Sequence, residues 1–201
     1  MLHFCPRCRN ADVEKPVLDS ANGYATAECP ECGERFRFQY FPLYTLEGAP
    51  GVGKSTTAGF LDGEISPSIY EGDLHIDLTN GNLSWEAICD LDFRICMTLH
   101  ATGKQALFVG GVHPHDLTDS PETRYFSGIE RCALVCDDAD LEERLRERSM
   151  AQEGIDFMLD VNRWYRERGA DRNIEVINTT TADPDTIAQR VRTWLEKNGN
   201  R

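Results

Sequence analysis

Apolar and polar positions change their rhythm near residue 40. From Leu43 onward, short apolar runs alternate with longer amphipathic stretches. The runs at 43–47, 69–73, 105–110, 131–136 and 174–178 are β-prone and bounded by turn residues, which predicts strands. Helical periodicity between them predicts helices near 54–62, 84–101, 138–150, 157–168 and 184–197. The last is well marked: Asp183 can cap it, Pro184 suits its first turn, and Ile187, Val191, Trp194 and Leu195 share one face. Phe157, Val161, Trp164 and Tyr165 make a packing stripe, and 149–169 is expected to supply a lid or its support. This alternation implies a parallel sheet sandwiched by helices, with ligands at the carboxyl ends of the strands.

The first 40 residues follow another pattern. Pro16-Val17-Leu18 and Tyr24-Ala25-Thr26 flank Asn22-Gly23, a type I′ hairpin signal, and Glu34 to Tyr40 alternates charged and aromatic residues as a further strand. Cys5-Pro6-Arg7-Cys8 and Cys29-Pro30-Glu31-Cys32 are two C-x-x-C knuckles. Four thiolates at this spacing suit tetrahedral Zn²⁺, and the competing reading is a redox pair. A closed four-thiolate site leaves no open coordination position, so the metal is expected to be structural. The expected organisation is a zinc ribbon over 1–40 and an α/β domain over 41–201. The ribbon is too small to fold on an apolar core alone, so the metal supplies its folding energy, whereas the larger domain has its own apolar stripes. Cys89, Cys96, Cys132 and Cys136 read as buried thiols in preference to a second metal site.

Between the first strand and first helix of the larger domain lies Gly48-Ala49-Pro50-Gly51-Val52-Gly53-Lys54-Ser55, a complete G-x-x-x-x-G-K-S. Such a loop curls its backbone N–H groups around a nucleotide's phosphates at a helix N-terminus. Lys54 can reach the β/γ oxygens, the Ser55 hydroxyl can bind Mg²⁺, and Thr56 completes the nucleotide-binding run.

Composition narrows the partners. A net charge of −13, from 34 acidic against 21 basic residues, disfavours nucleic acid and anionic membranes. Residues 1–40 hold five basic and six acidic residues, so the ribbon has no basic stripe. Docking against the larger domain or a partner protein suits it better. The apolar runs are too short to span a bilayer, no apolar leader opens the chain, and reduced cysteines fit the cytoplasm.

With its phosphate loop and strand–helix order, the region 43–197 resembles the P-loop small-molecule and nucleotide kinases, which include adenylate-kinase-like, gluconate-kinase-like and adenylyl-sulfate-kinase-like enzymes. The resemblance implies a three-layer sandwich with strand order 2-3-1-4-5, a mobile lid, and phosphoryl transfer from ATP to a small-molecule acceptor, a nucleoside or nucleotide among them. The family carries an acidic strand tip about 25 residues after the first glycine of the loop, and Tyr70-Glu71-Gly72-Asp73 matches it with Glu in place of the first Asp. Asp73 is thereby the candidate that orients or deprotonates the acceptor, with Asp77 a weaker one. The family's R-x-x-x-R falls on Arg144, beside the base and phosphates, and Arg148, which clamps the phosphates. On a bare helix these would read as a solvated face, with Asp140–Arg144 and Glu142–Arg146 as i,i+4 pairs. Arg163, Arg166 and Arg168 are further cations able to close over phosphates. The loop around Thr179-Thr180-Thr181 is expected to border the adenine. The third strand ends Val109-Gly110-Gly111-Val112 without the Walker-B Asp expected of many NTPases, which argues against a mechanical ATPase. His113-Pro114-His115-Asp116 reads as a polar substrate loop or plain surface. The alternative to a kinase is a nucleotide-binding regulatory or adaptor NTPase whose ribbon docks a partner.

Overall fold

The computed structural model describes all residues except 1, 3, 13, 76–82, 112–119, 200 and 201. Asp77 and the stretch His113 to Asp116 therefore lie outside the described residues. Three antiparallel strands open the fold: β1 (Val17–Ala21), β2 (Tyr24–Glu28) and β3 (Arg35–Gln39), with β2 central. Asn22 and Gly23 have φ of 53° and 75°, the paired left-handed residues that a type I′ turn requires.

The larger domain runs β4 (Leu43–Glu47), α1 (Lys54–Leu61), β5 (Ser68–Glu71), α2 (Trp85–Ala101), β6 (Ala106–Val109), β7 (Ile129–Val135), α3 (Asp138–Glu147), α4 (Gln152–Arg168), β8 (Ile174–Asn178) and α5 (Pro184–Gly199). Its five strands pair in the order β5-β6-β4-β7-β8, all parallel. Counted from β4, that is the expected 2-3-1-4-5. β4 and β6 are buried at every residue, as the middle of a helix-covered sheet demands. The α5 cap forms as expected: the Thr186 N–H donates to Asp183 Oδ1 at 3.0 Å.

Two elements differ from expectation. α4 begins five residues earlier than predicted and buries Ile155, Leu159, Asn162 and Tyr165, leaving Phe157 half exposed. Aromatic weight pointed to Phe157, but the buried face includes a polar residue. The Asn162 amide accepts from Cys136 N at 3.2 Å and donates to Cys136 O at 2.8 Å, so α4 is clamped to the end of β7. β5 stops at Glu71, and a 3₁₀ turn over 72–75 carries Asp73 beyond the strand.

The apolar interior falls into two main clusters. One lies under the phosphate loop and joins Leu46, Val52, Ala58, Leu141, Leu145 and Ile187. The other joins Leu43, Phe93, Phe108 and Tyr125 to Ala25, Ala27 and Phe38 of the ribbon. The inner face of the ribbon is thus continuous with the core of the larger domain. At the junction the Tyr125 hydroxyl accepts from Lys15 N at 2.7 Å and donates to Lys15 O at 3.0 Å. Lys15 is fully buried, its ammonium on the Asp12 carbonyl.

Candidate functional site

The loop between β4 and α1 depends on glycine. Gly48, Gly51 and Gly53 have φ of 132°, 91° and 103°, and a side-chain carbon at Gly48 would lie 2.4 Å from the Leu134 carbonyl oxygen. α1 starts at Lys54 with no side chain capping its first turn, and Ser55 and Thr56 are exposed there. The Lys54 ammonium folds back over the loop and donates to Gly48 O at 2.9 Å and Ala49 O at 3.2 Å. Only 5% of this residue is exposed. Burial pushes its pKa down; Asp73 and Glu71 oppose that shift, and Arg148 adds to it. Three charged groups from the tip of β5 and the end of α3 therefore act on one ammonium. Asp73 and Arg148, 19 and 94 positions along the chain from Lys54, are thus both near enough to act on its charge.

Arg144 does not pair with Asp140. Its Nη1 donates to Gly51 O at 3.0 Å, which lays the guanidinium against the loop. A cleft of about 390 Å³ opens beside Gly51–Gly53, walled by Thr56, Arg144, Arg148, Thr179 and Thr180. The Thr179 hydroxyl bonds Val52 O at 3.0 Å and Val135 O at 3.2 Å, tying the segment after β8 to the loop. Sequence reasoning missed this role, because the partners are backbone groups 127 and 44 residues away. Glu142–Arg146 forms the expected surface pair. Arg163 and Arg166, further cations in the sequence, pair with Asp138, at 2.5 and 3.2 Å, in the first turn of α3.

Two buried acids also escaped the sequence reading. Glu47, the residue before the loop, is fully buried. Arg131 grips it with Nε at 2.8 Å and Nη2 at 2.7 Å, Tyr165 donates at 2.8 Å, and Thr45 donates at 2.5 Å. Thr45 and Glu47 share a face of β4, and Arg131 sits opposite Thr45 on β7, so the pairing is a consequence of register. Asp92 on α2 accepts from the Tyr70 hydroxyl at 2.8 Å. Between β5 and β6, the Phe108 ring fills the space that two glycines leave. A side-chain carbon would lie 2.5 Å from it at Gly72 and 2.6 Å at Gly110. Glu71 is in register with Val109, so the acidic tip stands beside Gly110-Gly111, the described residues that directly follow β6.

At the other end of the molecule, Cys5, Cys8, Cys29 and Cys32 bring their sulfurs within 4.8 Å of one another. Cys5–Cys32 and Cys8–Cys29 are 3.7 and 3.6 Å apart. A tetrahedral site with Zn–S near ~2.3 Å has edges of about 3.8 Å, whereas a disulfide needs about 2.0 Å. The donor set therefore fits a four-thiolate cation. The two knuckles match in backbone: Arg9 and Gly33, each following the second cysteine, have φ of 64° and 68°, and their N–H groups bond Cys5 O and Cys29 O at 3.0 Å. The Cys8 N–H foremost draws Cys5 down to about 6; at Cys8 the Asn10 N–H pulls down, but burial and the other sulfurs push it up to about 12. Among the described residues no other group of three or more His, Cys, Asp or Glu could hold a metal ion. Cys89, Cys96, Cys132 and Cys136 are buried thiols. Among the described residues no helix is long and apolar enough to cross a membrane.

No family model matches the sequence, and no curated protein matches it. Solved structures do resemble the fold. A sugar kinase from a Janibacter species is 15% identical with a TM-score of 0.59, over 78% of this chain and 95% of that one. A gluconokinase from Sinorhizobium meliloti is 14% identical with a TM-score of 0.55, over 81% and 97%. A shikimate kinase from Acinetobacter baumannii, in complex with shikimate, is 14% identical with a TM-score of 0.56, over 80% and 96%. The chain has the fold of the P-loop kinases, a five-stranded parallel sheet flanked by helices, preceded by a small antiparallel sheet with a four-cysteine cluster.

Proposed function

We propose that the protein transfers the γ-phosphoryl group of ATP to a hydroxyl-bearing small molecule, with nucleosides and nucleotides among the candidate acceptors. The observation that carries this reading is the field around Lys54, shared by Asp73, Glu71 and Arg148 beside a complete phosphate loop. The loop amides hold the β- and γ-phosphates, and Lys54 exchanges its two carbonyl partners for phosphate oxygens. Mg²⁺, with Ser55 as a ligand, neutralises phosphate charge when bound. Arg148 stabilises the charge that develops on the transferring group, and Arg144 holds the nucleotide side. The base lies in the cleft by Thr56, Thr179 and Thr180. Asp73 orients or deprotonates the acceptor hydroxyl, which approaches the ends of β5 and β6. The four cysteines hold one structural Zn²⁺, and the reduced, buried Cys96, Cys132 and Cys136 suit the reducing cytoplasm.

The test is an ATP-consumption screen over nucleosides, nucleoside monophosphates, sugars and small alcohols, read by product mass. A phosphorylated acceptor is expected. Phosphate release with no acceptor, or tight ATP binding without turnover, would favour the regulatory NTPase with a partner-docking ribbon.

A further inference from the structure

Each apolar cluster serves a different part of the site. The phosphate loop, α1, α3 and α5 pack in the first, which contains none of the described ribbon residues. Ala25, Ala27 and Phe38 of the ribbon pack in the second, with Phe93 of α2, Phe108 of β6 and Tyr125. Phe108 is the ring beneath Gly72 and Gly110, the two close approaches that shape the acceptor side. Polar contacts run the same way. Tyr125 holds both backbone groups of Lys15 and meets the Phe38 ring edge-on at 6.2 Å. The turn that ends in Tyr125 is bonded to α2 through Arg94–Glu122 at 2.8 Å and Ser120–Asp90 at 2.6 Å. α2 in turn presents Asp92 to Tyr70, two residues before Gly72.

We propose that the ribbon is a metal-dependent buttress of the acceptor half: the cation held by the four cysteines keeps α2, the 121–125 turn and the ends of β5 and β6 ordered, while the nucleotide half is ordered without it. Assigning those strand ends to the acceptor rests on the proposed kinase function. The physical ground is that a ribbon of this size has too little core to fold without its metal. Once it unfolds, Tyr125 loses the Phe38 ring against it, and the cluster that holds Phe93 and Phe108 loses Ala25, Ala27 and Phe38.

The test is amide hydrogen exchange on the full-length protein, metal-loaded and after chelation, with Mg·ATP affinity measured by calorimetry on both. Exchange over 85–101, 106–111 and 121–126 should speed up about tenfold or more on chelation, and over 54–61, 138–147 and 184–199 less than about threefold. Mg·ATP affinity should stay within about threefold. Loosening confined to 1–40, uniform loosening of the whole chain, or no change on chelation would each overturn the proposal. Tyr125→Phe supplies a second arm, because it removes the hydroxyl that bonds Lys15 but keeps the ring against Phe38. It should loosen the same segments with zinc content unchanged, and protection equal to that of the parent protein would count against the proposal. Failure of the loaded protein to bind Mg·ATP would instead remove the kinase reading and leave the exchange result to stand or fall separately.

Discussion

Lys54 is an ammonium with 5% of its surface exposed, bonded to two loop carbonyls and facing two acids and an arginine. Lys54→Ala should abolish ATP turnover with the fold retained, since the loop's backbone shape depends on its glycines; unchanged turnover in the purified variant would sink the assignment. Asp73→Asn should lose roughly 10²–10⁴-fold in transfer, with Mg·ATP affinity kept. Loss of nucleotide binding in that variant would make Asp73 a metal ligand. The phosphate loop was legible because its chemistry needs consecutive residues. Asp73, Arg144 and Arg148 came only through spacing in a family pattern. Glu47, Asp92 and Thr179 were not legible, because their partners Arg131, Tyr70 and Val52 lie 84, 22 and 127 residues away.

Elements were read well wherever one periodicity ruled. β4 and β8 match their expected limits, while α4 was offset because its buried face contains Asn162 and its most conspicuous aromatic points outward. The elements are joined by interactions of unequal weight. Exposed Glu142–Arg146 is worth little, but Arg131→Ala would strand the Glu47 carboxylate inside the sheet. The expected loss is about 3–5 kcal/mol of folding stability, measured by chemical denaturation; a change below about 1 kcal/mol would contradict the network's weight. His100 on α2 gives a pH signature. Burial pushes it down from 6.5 to about 4, and its Nε2 accepts from Ala106 N at 3.1 Å. Below pH 6.5 the unfolded chain binds a proton that the folded chain excludes. Stability should therefore fall as pH drops from 6.5 to about 4, by up to roughly 3 kcal/mol from this group. His100→Gln retains an acceptor and should flatten that part of the profile; an identical pH profile in the variant would remove His100 as its source.

For the whole molecule, the order of the parallel sheet followed from the family resemblance, and the ribbon from its cysteines and Asn22-Gly23. What the pattern could not give was their union. Ala25 and Ala27 are too small to announce a packing face, and Lys15 reads as a surface cation until Tyr125 is seen on its backbone. The metal account predicts one zinc per chain in anaerobically purified protein, by elemental analysis; absence of stoichiometric zinc would count decisively against it. The central claim is phosphoryl transfer, and its most direct measurement follows the label of γ-labelled ATP in the presence of the acceptor panel. The account predicts that label appears on an organic acceptor, and that Lys54→Ala abolishes this. Label found only in inorganic phosphate, or acceptor labelling that survives in Lys54→Ala, would contradict it.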